Sequence, residues 1–225
     1  MKRIVSDCLR GNKMKIYLFD FDGTLVDSMP SFTAGVIKEL DKNNCKYCDD
    51  VIKTITPLGL NGTAEYFIKT FGLKLSANEL VKAFKDNMAN DYFYLIPAKR
   101  NVIKVLKKLK DNGASLNILT ASPHVTLDAC LKRLEIFDLF DNVWSCEDFK
   151  TTKANPEIYK MVAKKLNVNV KDVLFLDDNL NANLTAKTAG MKVCGVFDES
   201  SIDYVDQMKS ICDFYIYDFE ELLKI

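Results

Sequence analysis

Lys15-Ile16-Tyr17-Leu18-Phe19-Asp20-Phe21-Asp22-Gly23-Thr24-Leu25-Val26-Asp27-Ser28 is the stretch whose reading decides the fold. Its apolar run, Ile16 to Phe19, has no polar alternation, which is the pattern of a strand buried on both faces of a parallel sheet. The run stops at two carboxylates spaced two apart, so strand alternation predicts that Asp20 and Asp22 leave its end on the same side. Gly23 can take backbone angles closed to other residues, turning the chain so that backbone N–H groups and the Thr24 hydroxyl approach an anion. Open parallel sheets bind ligands just beyond the carboxyl ends of their strands. Two carboxylates there repel each other unless a cation sits between them or one holds a proton. A hard divalent ion with oxygen ligands, magnesium above all, resolves the conflict and recruits phosphate.

The rest of the composition sets bounds. A chain of 225 residues is long enough for one large domain, or one domain carrying an insertion. Lys plus Arg equals Asp plus Glu, at 31 each, so no net field favours nucleic acid or a membrane surface, and phosphate affinity must be local. Seven scattered cysteines, an odd number, fit reduced thiols and a cytoplasmic location better than a disulfide framework. Cys45 and Cys48 have the spacing of half a zinc site, but no second pair completes it. No run approaches the ~18 apolar residues of a membrane span. Residues 1–13 are basic without a long apolar core, and read as an N-terminal arm.

After the first strand the pattern turns helical. Phe32, Val36, Ile37 and Leu40 predict one helix, and Val51, Ile52 and Ile55 a second that breaks at Pro57 to Gly62. Thr63 or Asn61 is the expected cap of a third, which stops at Gly72. Ser76 and Glu79 form a capping-box pattern ahead of a fourth, leading to Tyr92-Phe93-Tyr94, an aromatic cluster read as core or hinge packing. Residues 28–96 therefore read as an all-helical insertion, with 14–27 and 97–225 forming an α/β core. In that core an amphipathic helix from Val102 precedes a second buried strand, Ala114 to Leu119. The strand ends in Thr120-Ala121-Ser122-Pro123, repeating the layout of the first site. His124 stands where a first helical turn exposes its side chains. A short strand follows at 142–145, then Lys153 before a helix with Pro156 in its first turn. A strand through Leu176 ends in Asp177-Asp178, and Asn179 and a small-residue helix follow, closing on Gly190. Met191 to Phe197 and Phe214 to Tyr217 complete the strands.

The stretch Asp20 to Ser28 closely resembles the first signature of the haloacid dehalogenase-like hydrolases, and the second Asp is that of the superfamily's phosphatases. The resemblance spans nearly the whole chain from Met14. It implies a Rossmann-like parallel sheet with an inserted helical cap that closes over the site and selects substrate. It further implies that Asp20 attacks phosphorus and that Asp22 is general acid and base. Thr120, with the Ala121 N–H, matches the second motif and binds the transferring phosphoryl group. Lys153 matches the third, although Ala154 replaces a usual Pro. Asp177 and Asp178 match the fourth, with Asp178 at the direct magnesium-ligand position and Asp177 binding directly or through water. Ala182 stands where many relatives carry Asp or Gly.

The implied chemistry is a magnesium-dependent phosphatase, similar to the phosphoglycolate phosphatase branch, acting through an aspartyl-phosphate on Asp20. Phosphate contacts are expected from Phe21, Asp22, Gly23, Thr24, Thr120, Ala121 and Lys153. Magnesium ligands are expected from Asp20, Asp177, Asp178 and the Asp22 backbone carbonyl, the Asp22 carboxyl facing away. A response-regulator receiver would present its acidic groups in the reverse order. A phosphosugar mutase of the same superfamily shares the motifs, but its beta-phosphoglucomutase members typically carry a His where this chain has Phe32. A phosphate-binding or interaction scaffold need not keep every charge. The expected partner is a small phosphorylated metabolite, with no nucleic acid and no membrane. A monomer or weak homodimer is expected.

Overall fold

A computed structural model describes residues 15–225, the Pro57 side chain excepted, so the arm at residues 1–13 lies outside the described residues. Six strands, β1 (Ile16–Phe19), β2 (Ser115–Thr120), β3 (Asn142–Ser145), β4 (Val173–Asp177), β5 (Lys192–Val196) and β6 (Phe214–Ile216), form one sheet in the order β3-β2-β1-β4-β5-β6. Every neighbouring pair is parallel. β1 lies at the centre, and all four of its residues are buried, as its unbroken apolar run requires. Phe19 pairs with Ile118 on one side and Leu176 on the other, and the Asp20 N–H donates to the Leu176 carbonyl at 2.8 Å. This register sets Asp20 level with Asp177, so two carboxylates meet at one sheet edge. It is an α/β fold of the Rossmann-like kind.

Four helices separate β1 from β2: α1 (Met29–Lys42), α2 (Asp50–Ile55), α3 (Gly59–Phe71) and α4 (Ala77–Tyr94). The chain enters and leaves this block side by side. The Asp27 N–H donates to the Pro97 carbonyl at 3.0 Å, and the Lys99 N–H returns to the Leu25 carbonyl at 3.0 Å. α4 begins at the Ser76 and Glu79 capping box, and α3 stops at left-handed Gly72. The start of α3 corrects the sequence reading. Leu58, not Asn61 or Thr63, is the N-cap, because a short 3-10 turn at Thr56–Leu58 runs into Gly59, whose φ of 63° redirects the chain. Thr63 is buried instead, its hydroxyl donating to the Ile55 carbonyl at 3.3 Å.

The remaining helices, α5 (Val102–Asp111), α6 (His124–Arg133), α7 (Glu157–Lys165), α8 (Leu180–Ala189) and α9 (Val205–Ile211), flank the sheet. Among the described residues no helix is long and apolar enough to cross a membrane. Within the helical block, Phe84 of α4 is fully buried and meets Phe67 of α3 edge to face at 5.7 Å. Phe84→Ala should therefore cost about 3–5 kcal/mol of stability, measured by urea unfolding, from lost burial and the cavity left behind.

Candidate active site

Two strand ends and one loop build the acidic centre of the site. Asp20 follows β1, Asp177 closes β4, Asp178 comes next, and Lys153 stands in the loop ahead of α7. Carboxylate oxygens of Asp20, Asp177 and Asp178 all lie within 4.8 Å of one another, and each residue is buried. The Lys153 ammonium is 2.7 Å from both Asp20 and Asp177. Burial, and then the Asp177 charge, push the Asp20 carboxyl up to about 8, although Lys153 pulls it down. Burial and the Asp177 and Asp20 charges also drive Asp178 well above the carboxylate range. For Lys153 burial acts to lower the value, but Asp177 and Asp20 hold it well above the usual lysine range.

The arrangement fits a hard divalent cation. Three buried carboxylates face one ammonium, so two negative charges remain uncompensated when all are ionised. Asp177 is saturated, Oδ2 accepting from Lys153 and Oδ1 from the Asn179 N–H at 2.7 Å. Asp178 gives one oxygen, Oδ1, to the Thr24 hydroxyl at 3.0 Å. Its Oδ2 faces Gly23, where a Cβ would come within 2.6 Å, and Gly23 holds φ at 73°. Asp20, Asp177 and Asp178 each offer an oxygen donor of the kind that suits magnesium.

Asp22 stands apart from that cluster. Its Oδ1 accepts from the Tyr92 hydroxyl at 2.6 Å, and its Oδ2 accepts from the Ser122 hydroxyl. β1 ends at Phe19, Asp22 pairs with Val26 in an isolated bridge, and the turn itself covers Gly23 to Leu25. Phe21 is fully buried and stacks on the Tyr92 ring. Asp20 and Asp22 line the same cleft but reach different partners.

Two of the expected phosphate contacts are also corrected. The Gly23 N–H donates to the Val26 carbonyl at 3.0 Å, closing the turn on itself. The Thr24 hydroxyl donates to Asp178 Oδ1 and accepts from the Asp178 N–H at 3.1 Å, so it braces an acidic residue instead of facing an anion. Thr120 is buried at the end of β2, its Oγ1 accepting the Ser122 N–H at 3.0 Å, while Ala121, Asp20, Asp22 and Lys153 line a cleft of about 460 Å³. Sequence reading missed Tyr92, which was assigned to packing, and Lys99. The Lys99 ammonium donates to the Gly23 carbonyl and the Phe197 carbonyl, each at 2.6 Å, and to Asp198 at 2.8 Å, pinning the first turn to the end of β5.

The family model of the haloacid dehalogenase-like hydrolases matches residues 17–196. Pyrophosphatase PpaX of Bacillus velezensis is 28% identical over 181 residues, covering 80% of this chain and 81% of that protein. Phosphoglycolate phosphatase of Psychrobacter arcticus is 27% identical over 191 residues, covering 81% and 83%. Among solved structures, YfnB of Bacillus subtilis, bound to magnesium, superposes with a TM-score of 0.72 over 95% of this chain and 98% of its own. At 18% identity, that likeness shows the fold.

His124 lies outside the acidic cluster. Its Nδ1 lies 3.0 Å from Asp128 and its Nε2 2.9 Å from Asp148, joining α6 to the turn after β3. Hydrogen bonds to Asp128, then to Asp148, raise its pKa above the ordinary 6.5. A raised histidine contributes stability that is complete below the unfolded value and lost as pH rises through the folded one. His124→Gln should therefore lower the unfolding midpoint more at about pH 5.5 than at about pH 9, in paired thermal melts.

Proposed function

The chain belongs to the haloacid dehalogenase-like hydrolases, and we propose that it is a magnesium-dependent phosphatase hydrolysing a small phosphate monoester through an aspartyl-phosphate on Asp20. One observation carries the reading. Asp20 lies against Lys153 and the Asp177-Asp178 pair, while Asp22, two residues on, is held separately by hydroxyls at the same cleft. Nucleophile and proton carrier are thereby kept apart. YfnB, bound to magnesium, and the phosphatase names of the sequence relatives support the same reading.

An Asp20 carboxylate oxygen attacks phosphorus, and the bond to the leaving oxygen breaks as Asp22 gives that oxygen a proton. Asp22, now a carboxylate, takes a proton from water, whose oxygen attacks phosphorus and frees Asp20 and inorganic phosphate. Lys153, the Thr120 hydroxyl and the N–H groups of Phe21, Asp22 and Ala121 stabilise the equatorial oxygens. Held by Asp20, Asp178 and the Asp22 carbonyl, with Asp177 alongside, magnesium would neutralise the cluster and draw the phosphoryl oxygens to it. The Tyr92 hydroxyl and Ser122 orient Asp22.

Residues 28–96 serve in this reading as a helical cap over a core of 14–27 and 97–225. Residues from both, including Phe32 and Leu58 of the first and Ala121 and Asn181 of the second, line the cleft, consistent with a small phosphorylated metabolite as substrate. Phe32, lacking acid-base chemistry, favours hydrolysis over phosphoryl return to a sugar. Asp20→Asn should abolish magnesium-dependent phosphate release, and Asp22→Asn should lower it by about 10²–10⁴. A fully active Asp20→Asn protein would refute the covalent route.

A further inference from the structure

The cleft has two chemically different sides. One holds the carboxylates and Lys153. The other is apolar, formed by Met29, Phe32, Leu58, Leu60, Met88 and Tyr92. Two cations line the cleft among the described residues, and each has a carboxylate partner. Lys153 is paired with Asp20 and Asp177, and Lys85 of α4 lies 3.9 Å from Glu147. A leaving group bearing its own carboxylate or phosphate would bring that charge against carbon, where Lys85 is the one lining cation besides Lys153 among the described residues and already has Glu147 beside it. An uncharged leaving group with a hydrocarbon face would bury apolar surface there.

The hydroxyls around the cleft narrow the choice. Those of Thr56, Ser122, Thr126, Ser200 and Ser201 all donate to groups within the protein. Among the described residues, the hydroxyls of Ser28 and of half-buried Tyr204 line the cleft without a partner in the protein, and Ser28 is the buried one. It lines the cleft at 1% exposure, and its Oγ is buried without a partner. Buried polar groups are seldom left unpaired, and a bound oxygen would satisfy this one.

We propose that the substrate is the phosphate monoester of an uncharged alcohol with an apolar or aromatic face, which packs on the Phe32 and Met88 side while a second oxygen pairs with Ser28. This rests on the phosphatase reading and supplies the half of the substrate which that reading leaves open. Asp22 protonates the ester oxygen as its bond to phosphorus breaks, so the products are a neutral alcohol and inorganic phosphate.

The test is kcat/KM for phosphate release, with magnesium, from 2-phenylethyl phosphate, 2-hydroxy-2-phenylethyl phosphate, 2-phosphoglycolate and pyrophosphate. The native protein should favour the two aryl esters over the two anionic compounds by about tenfold or more. Ser28→Ala should erase the advantage of the hydroxylated ester over 2-phenylethyl phosphate, and Ser28→Thr should retain part of it. Glu147→Gln, which releases Lys85, should narrow the gap to 2-phosphoglycolate. Native turnover of 2-phosphoglycolate or pyrophosphate equal to or above that of the aryl esters would overturn the inference and leave the phosphatase reading standing. Release from none of the four would overturn both.

Discussion

Three buried carboxylates held within 4.8 Å of one another are the constraint on which the rest of the structure depends. Desolvation and mutual repulsion both oppose their ionisation, and one lysine cannot compensate three charges. The parallel register makes their meeting unavoidable. Phe19 lies beside Leu176, so the residues that follow emerge together, and any sequence placing Asp at both strand ends buries the conflict at one edge. Lys153 relieves part of it, and Gly23 leaves room beside Asp178 that any larger residue would fill.

The surrounding turns brace this cluster more than they bind ligand. Thr24 spans the gap between the first turn and β4 through two hydrogen bonds to Asp178, and Lys99 ties the Gly23 carbonyl to the end of β5. The helical block is tied to the same place. Tyr92, in the last turn of α4, reaches Asp22, and Arg133 of α6 holds the carbonyls of Tyr92 and Ile96 where the block returns to the sheet. Orientation of Asp22 is thereby coupled to the seating of α4 on the core.

Much of this was legible in the sequence because it is local. Ile16 to Phe19 and Val173 to Leu176 are unbroken apolar runs, Leu116 to Leu119 is interrupted by Asn117 alone, and Asp20, Asp177 and Thr120 mark where they end. Lys153 was marked by resemblance to the family's third motif, since a lone lysine in a loop otherwise reads as a solvated charge. What escaped reading depends on tertiary approach. Tyr92 looks like packing in its own helix, and only the folded chain brings its hydroxyl to Asp22. Gly23 and Thr24 were expected to face an anion, because a glycine-rich turn alone does not show that its N–H closes on Val26 or that its hydroxyl is taken by Asp178.

The most direct test of a cation-dependent acidic cluster is the unfolding midpoint of the native protein and of Asp178→Asn, followed across magnesium concentrations. The native midpoint is expected to rise with magnesium, because a ligand bound only by the folded state stabilises it. Without magnesium, Asp178→Asn is expected to melt at or above the native protein, a buried carboxyl whose ionisation is opposed having been replaced by a neutral amide, and to gain little when magnesium is added. A native midpoint indifferent to magnesium, or a variant that responds as strongly as the native chain, would contradict the central claim.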